Sequence, residues 1–352
     1  MKTKFRNRLG IAGALIVLAT LCACKTESTE KVITLKDCKR KTDSISVTPV
    51  KTDLMLLNPS KINVCGDYLV VSQAKTEKVF SIFHLPLDGK GFEAGHVGRG
   101  PNEFIRPDLQ SITVHGSGFS IVDMDSYAKE IRIEGDSIRI ADKQLLYTNG
   151  EAPNGVIKVG DSFINTNLFV DKNPKEFVVY KKDGSRNYIC DFPTWGNEAE
   201  SPIMKALDYM RAVVAHPSKD MFAAFYCHYR KFRIHSLDGT LLKEVSVEFP
   251  DSPIKNVKDN GVNRFDTYTS TPCASEDRIA VLCKNRYHAD KDLGDTRELQ
   301  VWDWNGNLVH RTIIKAPLSL VTIDFDKGIL YGIGPDENDE SCIYTADVSK
   351  FI

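Results

Sequence analysis

Beyond residue 21 the sequence holds no apolar run near the ~18 residues a membrane-spanning helix needs, so no second segment is read as crossing a bilayer. There is no Cys-x-x-Cys pair, no His-Glu-x-x-His, no Gly-x-Ser-x-Gly and no Gly-Lys-Ser/Thr. Those absences exclude a zinc finger, a zincin, a nucleophile elbow and a phosphate-binding P-loop. The repeated Ser-x-Asp-x-Gly-x-Thr-Trp box of sialidases is missing as well. The acidic runs Asp123-Met124-Asp125 and Asp336-Glu337-Asn338-Asp339-Glu340 lack the spacing and glycine of a calcium loop and read as solvated loops. Long helical periodicity is scarce, with Glu200 to Arg211 the best candidate for one short helix.

Charge and cysteine are bounded too. The chain has 46 Lys and Arg against 47 Asp and Glu. Without the four basic residues of the first eight positions, 42 remain against 47, a net charge of −5. No basic face is implied, so a nucleic-acid partner is not expected. Apart from Cys22 and Cys24, the cysteines are Cys38, Cys65, Cys190, Cys227, Cys273, Cys283 and Cys342. They are odd in number and mostly sit in apolar runs, which predicts buried thiols with room for one unassigned disulfide.

The N-terminus carries an export signal. Lys2, Lys4, Arg6 and Arg8 form a basic region with no acid before Glu27, followed by an apolar stretch from Leu9 to Leu21. It ends in Leu21-Cys22-Ala23-Cys24, which resembles the bacterial lipobox: Leu three positions before the acylated cysteine and a small residue immediately before it. The sequence therefore predicts a signal peptide over 1–23, lipid on Cys24 and a polar tether over 24–31. Acyl chains contribute about 0.8 kcal/mol per buried methylene and would hold the protein at a membrane. The expected location is the cell envelope, as an outer-membrane lipoprotein on the periplasmic or outer surface. Thr26-Glu27-Ser28-Thr29-Glu30 resembles the acidic export tags of surface lipoproteins of Bacteroidetes.

Along residues 32–352 one pattern recurs. A turn leads into an apolar strand, a polar loop follows, and a second strand ends at a glycine turn such as Asp88-Gly89, Asp183-Gly184, Asp238-Gly239 or Asn305-Gly306. Such turns supply the positive φ of a tight hairpin, and the flanking β-branched and aromatic residues suit strands. Six units at roughly 40–65 residues match propeller blades, each a four-stranded antiparallel sheet. The fold expected is all-β, a six-bladed β-propeller. The last unit looks short of an outer strand, so Val32-Ile33-Thr34-Leu35 or Ile45-Ser46-Val47 is expected to close the ring.

The segment Gly95-His96-Val97-Gly98-Arg99-Gly100-Pro101-Asn102-Glu103-Phe104 resembles the Gly-x-Gly-Arg-Gly-Pro-(Gly/Asn)-Glu-(Phe/Tyr) signature of the TolB-like six-bladed β-propeller lipoproteins of Bacteroidetes. The resemblance implies a fold and a location, with no reaction attached. Read from its residues, the segment is a special turn: Gly98 and Gly100 permit backbone conformations other residues avoid, and Pro101 fixes the exit direction. In the propeller register it links two blades, on the face that also carries the loops between second and third strands.

No catalytic set, metal site or cofactor site emerges. Binding has candidates on one face: Arg99 and Glu103 of the motif, Tyr226, His228, Tyr229 and Arg230 after the second strand of blade four, and Arg286, Tyr287 and His288 at the matching place in blade five. Tyr, His and Arg combine contact area with hydrogen bonds, as recognition surfaces favour. Trp195 is expected to cover a blade edge. The expected function is a non-catalytic binding or scaffolding module for a peptide, protein or glycan, joined to the membrane by its lipid. The alternative is a metal-dependent hydrolase or lactonase with carboxylates around a central channel.

Overall fold

The computed structural model describes residues 29–35, 44–146, 155–166, 174–195, 201–249, 258–259, 262–263, 265–268, 272–287 and 297–352. Six sheets follow one another along the chain, over residues 59–96, 107–145, 157–191, 211–248, 265–314 and 320–347. Each pairs its strands antiparallel in sequence order, and the first strands of neighbouring sheets touch around a full circle. The result is the six-bladed β-propeller that the recurring turns predict. In blade five the first strand is split between Phe265–Tyr268 and Cys273–Ala274, both paired with Arg278–Tyr287.

Antiparallel alternation gives the ring two distinct faces. The links from one blade to the next and the turns between second and third strands lie on one, here the linking face. The turns between first and second and between third and fourth strands lie on the other, the turn face. The turn at Asp238-Gly239 shows why the pattern was readable: Gly239 has φ +96, and Asp238 Oδ1 accepts from Thr240 N at 2.9 Å, a local arrangement that specifies the hairpin.

A chain of this length avoids one oversized core by making six small ones. Each buried apolar cluster lies between two neighbouring blades, from Phe80, Phe104 and Phe119 between blades one and two to Leu69, Phe83 and Tyr331 between blades six and one. A single blade is apolar on both faces and buries both only by stacking.

Ring closure uses the N-terminal segment, through a different strand from the two expected. Thr48–Val50 is the fourth strand of blade six, with Val50 opposite Ile343, Pro49 opposite Tyr344 and Thr48 opposite Thr345. Pro49 has no N–H to donate, which an outermost strand tolerates. The strand Glu30–Thr34 instead lies parallel to the outer strand Leu241–Glu248 of blade four, and Ser44–Ile45 lies parallel to Leu308–Ile314 of blade five. The N-terminal segment is thus a belt over three successive rims. Glu30 and Lys31, assigned to the tether on polarity, belong to the belt because the rim supplies their backbone partners.

The helix expected over 200–211 is Pro202–Asp208, capped by Ser201, whose side chain accepts from Met204 N. The cysteines Cys65, Cys190, Cys227, Cys273, Cys283 and Cys342 are free thiols, and Cys38 lies outside the described residues.

Candidate functional site

The motif residues form a loop on the linking face that is held by its own glutamate. Glu103 Oε2 accepts from Gly100 N at 2.6 Å, Glu103 N donates to Gly100 O at 3.1 Å, and Gly98 N donates to Phe104 O at 2.8 Å. Gly98 and Gly100 keep ordinary backbone conformations, contrary to the expectation of unusual ones; the positive φ falls at Gly95, +76. A side chain at 98 or 100 would instead displace the Glu103 carboxylate. A Cβ on residue 98 would overlap Glu103 Oε2, and one on residue 100 would sit 2.9 Å from Glu103 Cδ. Glu103 is therefore committed to the turn. Arg99, at the exposed tip, bonds nothing among the described residues.

Under this loop sits a buried charge pair. Lys129 Nζ reaches Asp123 Oδ2 at 2.5 Å and Asp125 Oδ2 at 2.9 Å, and also Glu103 O at 3.3 Å. Asp123 in turn accepts from Ile105 N, Arg106 N and Met124 N at 2.7–2.8 Å. The Asp123-Met124-Asp125 run, read from sequence as a solvated loop, is instead the foundation of the motif loop, with Asp123 fully buried.

At the corner of blades three and four, two of the predicted contact residues turn inward. Tyr226 is fully buried and donates to Glu176 Oε1 at 2.6 Å; Tyr229, nearly buried, donates to Asp208 Oδ2 at 2.7 Å. Glu176 is also paired with Arg211 at 3.0 Å, and burial raises its carboxyl despite that cation. Trp195 stands edge-on to Tyr226 and Tyr229, at 4.8 and 5.6 Å, and donates to Glu244 Oε1, so it covers the blade edge. Both tyrosine rings are spent on packing between blades and offer no surface to a ligand. His228 and Arg230 stay half-buried in the turn, with the Arg230 guanidinium 4.3 Å over Phe249. In blade five, Arg286 and Tyr287 lie within the strand Arg278–Tyr287 and not in the loop after it. Their side chains, and His288, lie outside the described residues.

The ring encloses a central channel of about 440 Å³ lined by first strands of all six blades. Its walls carry Lys61, Lys158, His115 and His216, and no Asp or Glu among the described residues. Lys61 is buried and donates to Gln110 O and Ile112 O at 2.9 and 2.6 Å; burial lowers its pKa to about 8, against a smaller upward pull from Asp108. Lys158 and His115 both meet Glu130, which stands behind the wall, at 2.6 and 2.5 Å. No ring of carboxylates that could hold a channel metal is present among the described wall residues. No three His, Cys, Asp or Glu side chains among the described residues gather as metal ligands.

A second hollow, of about 550 Å³, lies at the rim between blades three and four and is lined by Lys175, Arg233, Cys190 and His235. Cys190 Sγ is 3.4 Å from His235 Nδ1. Burial pushes the thiol up to about 12 and the imidazole down to about 3, so the pair is neutral and not a thiolate–imidazolium nucleophile.

Exposed apolar side chains have an uneven distribution. Met55 and Leu57 lie in the link from blade six to one, Val97 and Ile105 in the link from one to two, and Ile203, Leu207 and Met210 in the link from three to four. Leu145 ends the outer strand of blade two at the same face. Among the described residues the other exposed large apolar side chains, Val32, Tyr188, Leu242 and Val309, are on the rim, and none of these twelve is in a turn of the turn face. Leu57 and Met55 are 68% and 67% exposed, so each leaves about two-thirds of its surface in solvent.

No family model and no curated protein sequence matches the chain. Among solved structures, an exported protein from Bacteroides fragilis is similar at TM-score 0.60 and 11% identity, over 91% of this chain and 100% of that one. A DUF4221 family member from Bacteroides vulgatus is similar at TM-score 0.55 and 9% identity, over 87% and 96%. At these identities the likeness is one of fold.

Proposed function

We propose that this chain is a lipid-anchored envelope propeller that binds a protein or peptide through its linking face and catalyses no reaction. The observation that carries the reading is the gathering of exposed apolar side chains on that face, beside the unpaired Arg99. A glycan, the other ligand expected from sequence, accounts less well for leucine, isoleucine and methionine held in solvent. Export over 1–23, lipid on Cys24 and kinship with TolB-like lipoproteins of Bacteroidetes rest on the lipobox-like segment and the motif around Arg99. The fold shared with an exported Bacteroides protein supports export alone among these. His228, Arg230, Arg286, Tyr287 and His288 remain proposed contacts at the same face. The hydrolase or lactonase reading has less support, because the described channel walls offer two lysines and no carboxylate.

Capture from envelope extract tests the binding reading. The soluble domain should retain a defined partner that the triple variant Leu57→Asp, Arg99→Ala, Ile105→Asp loses at unchanged thermal stability. Equal capture by both proteins would overturn the proposed face. Labelled palmitate should enter the wild-type chain and not Cys24→Ala.

A further inference from the structure

We infer that the linking face is turned away from the anchoring bilayer, so that its apolar side chains meet a protein from the aqueous side and not lipid. The inference rests on lipidation at Cys24. Exposed leucine and isoleucine on a membrane-tethered protein would ordinarily be assigned to the bilayer; here the path of the chain argues otherwise.

Thr29 O accepts from Glu244 N at 2.8 Å, and Glu30 through Thr34 then run beside Glu244 through Glu248 in the same direction. Followed backwards from Thr34 to Thr29, the chain heads for the turn Leu237–Thr240 and leaves blade four toward the turn face. Lys31 Nζ also hydrogen-bonds Asn307, in the turn between the third and fourth strands of blade five, which pins the exit to that side. Cys24 is five residues before Thr29, and five steps of extended chain span at most about 18 Å.

That reach favours one orientation. From Glu244 the turn face is three residues away along the outer strand, about 10 Å, so the tether passes it with length to spare. The linking face is at least four residues away in the opposite direction, about 13 Å before the links themselves are counted. Reaching it requires the chain to reverse at Thr29, and two residues spent on a reversal leave about 11 Å of span. Leu57 and Ile105 flank blade one, across the ring from blade four, so laying them on lipid needs the whole linking face flat on the bilayer. A tether that falls short at its own blade cannot permit that contact.

The experiment uses the full lipidated chain in vesicles of phosphatidylethanolamine and phosphatidylglycerol carrying a headgroup spin label. A fluorescent amino acid is placed at position 105, on the linking face, or at position 305, in the blade-five turn beside Lys31. Quenching at least twofold stronger at 305 is expected; equal or stronger quenching at 105 would overturn the orientation. A photo-crosslinking amino acid at position 57, activated in intact cells, should give an adduct with another protein that is lost in the Ile105→Asp background. A lipid adduct, a homodimer or no adduct would overturn the choice of occupant. Failure of the lipidation reading shows separately: Cys24→Ala would then float with vesicles as the wild type does.

Discussion

The ammonium of Lys129 lies 2.5 Å from Asp123 Oδ2, and neither side chain reaches solvent. This pair joins the third strand of blade two to the loop that carries Arg99, because the same carboxylate holds the amides of Ile105 and Arg106. Removing Asp123 leaves Lys129 with Asp125 alone and the amides of Ile105 and Arg106 without their acceptor, a loss of at most about 3–5 kcal/mol. Asp123→Ala should therefore lower the urea midpoint of the soluble domain sharply. Hydrogen exchange at Ile105 and Arg106 should rise more than at Val70 in blade one. Unchanged protection at 105 and 106 would refute the role assigned to Asp123.

The motif loop makes a sharper prediction about shape. A methyl group at position 98 enters the space that the Glu103 carboxylate fills and displaces that side-chain end, so Gly98→Ala should cost about 0.5–1.5 kcal/mol through the lost bond to Gly100 N. Glu103→Ala should cost a similar amount, since it loses the same hydrogen bond at a half-buried site. In the double variant the clash has no partner, so its loss should fall below the sum of the two. Additive losses in a denaturant double-mutant cycle would show that the two positions do not compete for that space.

The blades were legible because hairpins are local: Asp88-Gly89 or Asp238-Gly239 announces a turn within four residues, and the strands on either side alternate visibly. The corner between blades three and four was not. Tyr226 and Tyr229 look like ligand contacts until Glu176 and Asp208, 50 and 21 residues earlier, arrive to accept their hydroxyls. The pairing of Asp123 with Lys129 was hidden differently. A carboxylate six residues from a lysine is common on surfaces, and only the loop folded over both makes it buried. The orphaned apolar face was also unreadable, since a leucine in a link looks like a core residue until the core is seen to be complete without it.

Glu130 gives the channel wall a pH signature. Burial alone would raise its carboxyl, but hydrogen bonds from His115 and Lys158 outweigh that and hold it at about 2. The folded value lies below the ordinary ~4.3, so this group's stabilisation is complete above that pH and is lost as pH falls toward 2. Glu130→Gln should be less stable than wild type at pH 7 by about 1 kcal/mol, discounted for partial exposure. The gap should narrow steadily between pH 5 and pH 2.5 in urea titrations. A gap independent of pH would assign the loss to packing and not to charge.

Closure of the ring separates the roles of the three belt strands. Glu30–Thr34 and Ser44–Ile45 add a fifth strand to sheets that already have four, whereas Thr48–Val50 supplies the fourth strand of blade six. Without it, Ser341–Asp347 presents an open edge, and Ile343, now fully packed, loses its neighbour Val50. Blade six must hold both blade five and blade one, so its weakening is felt on both sides of the ring. A chain beginning at residue 46 lacks Glu30–Thr34 and Ser44–Ile45 but keeps the closing strand, and should keep its melting temperature within a few degrees, since each kcal/mol moves a domain of this size by only about 2 °C. A chain beginning at residue 52 should melt roughly 10 °C lower or emerge as aggregate, through loss of several kcal/mol and the exposed edge. Comparable melting of the two truncations would place closure elsewhere, for example in direct contact between blades six and one through Leu69, Phe83 and Tyr331.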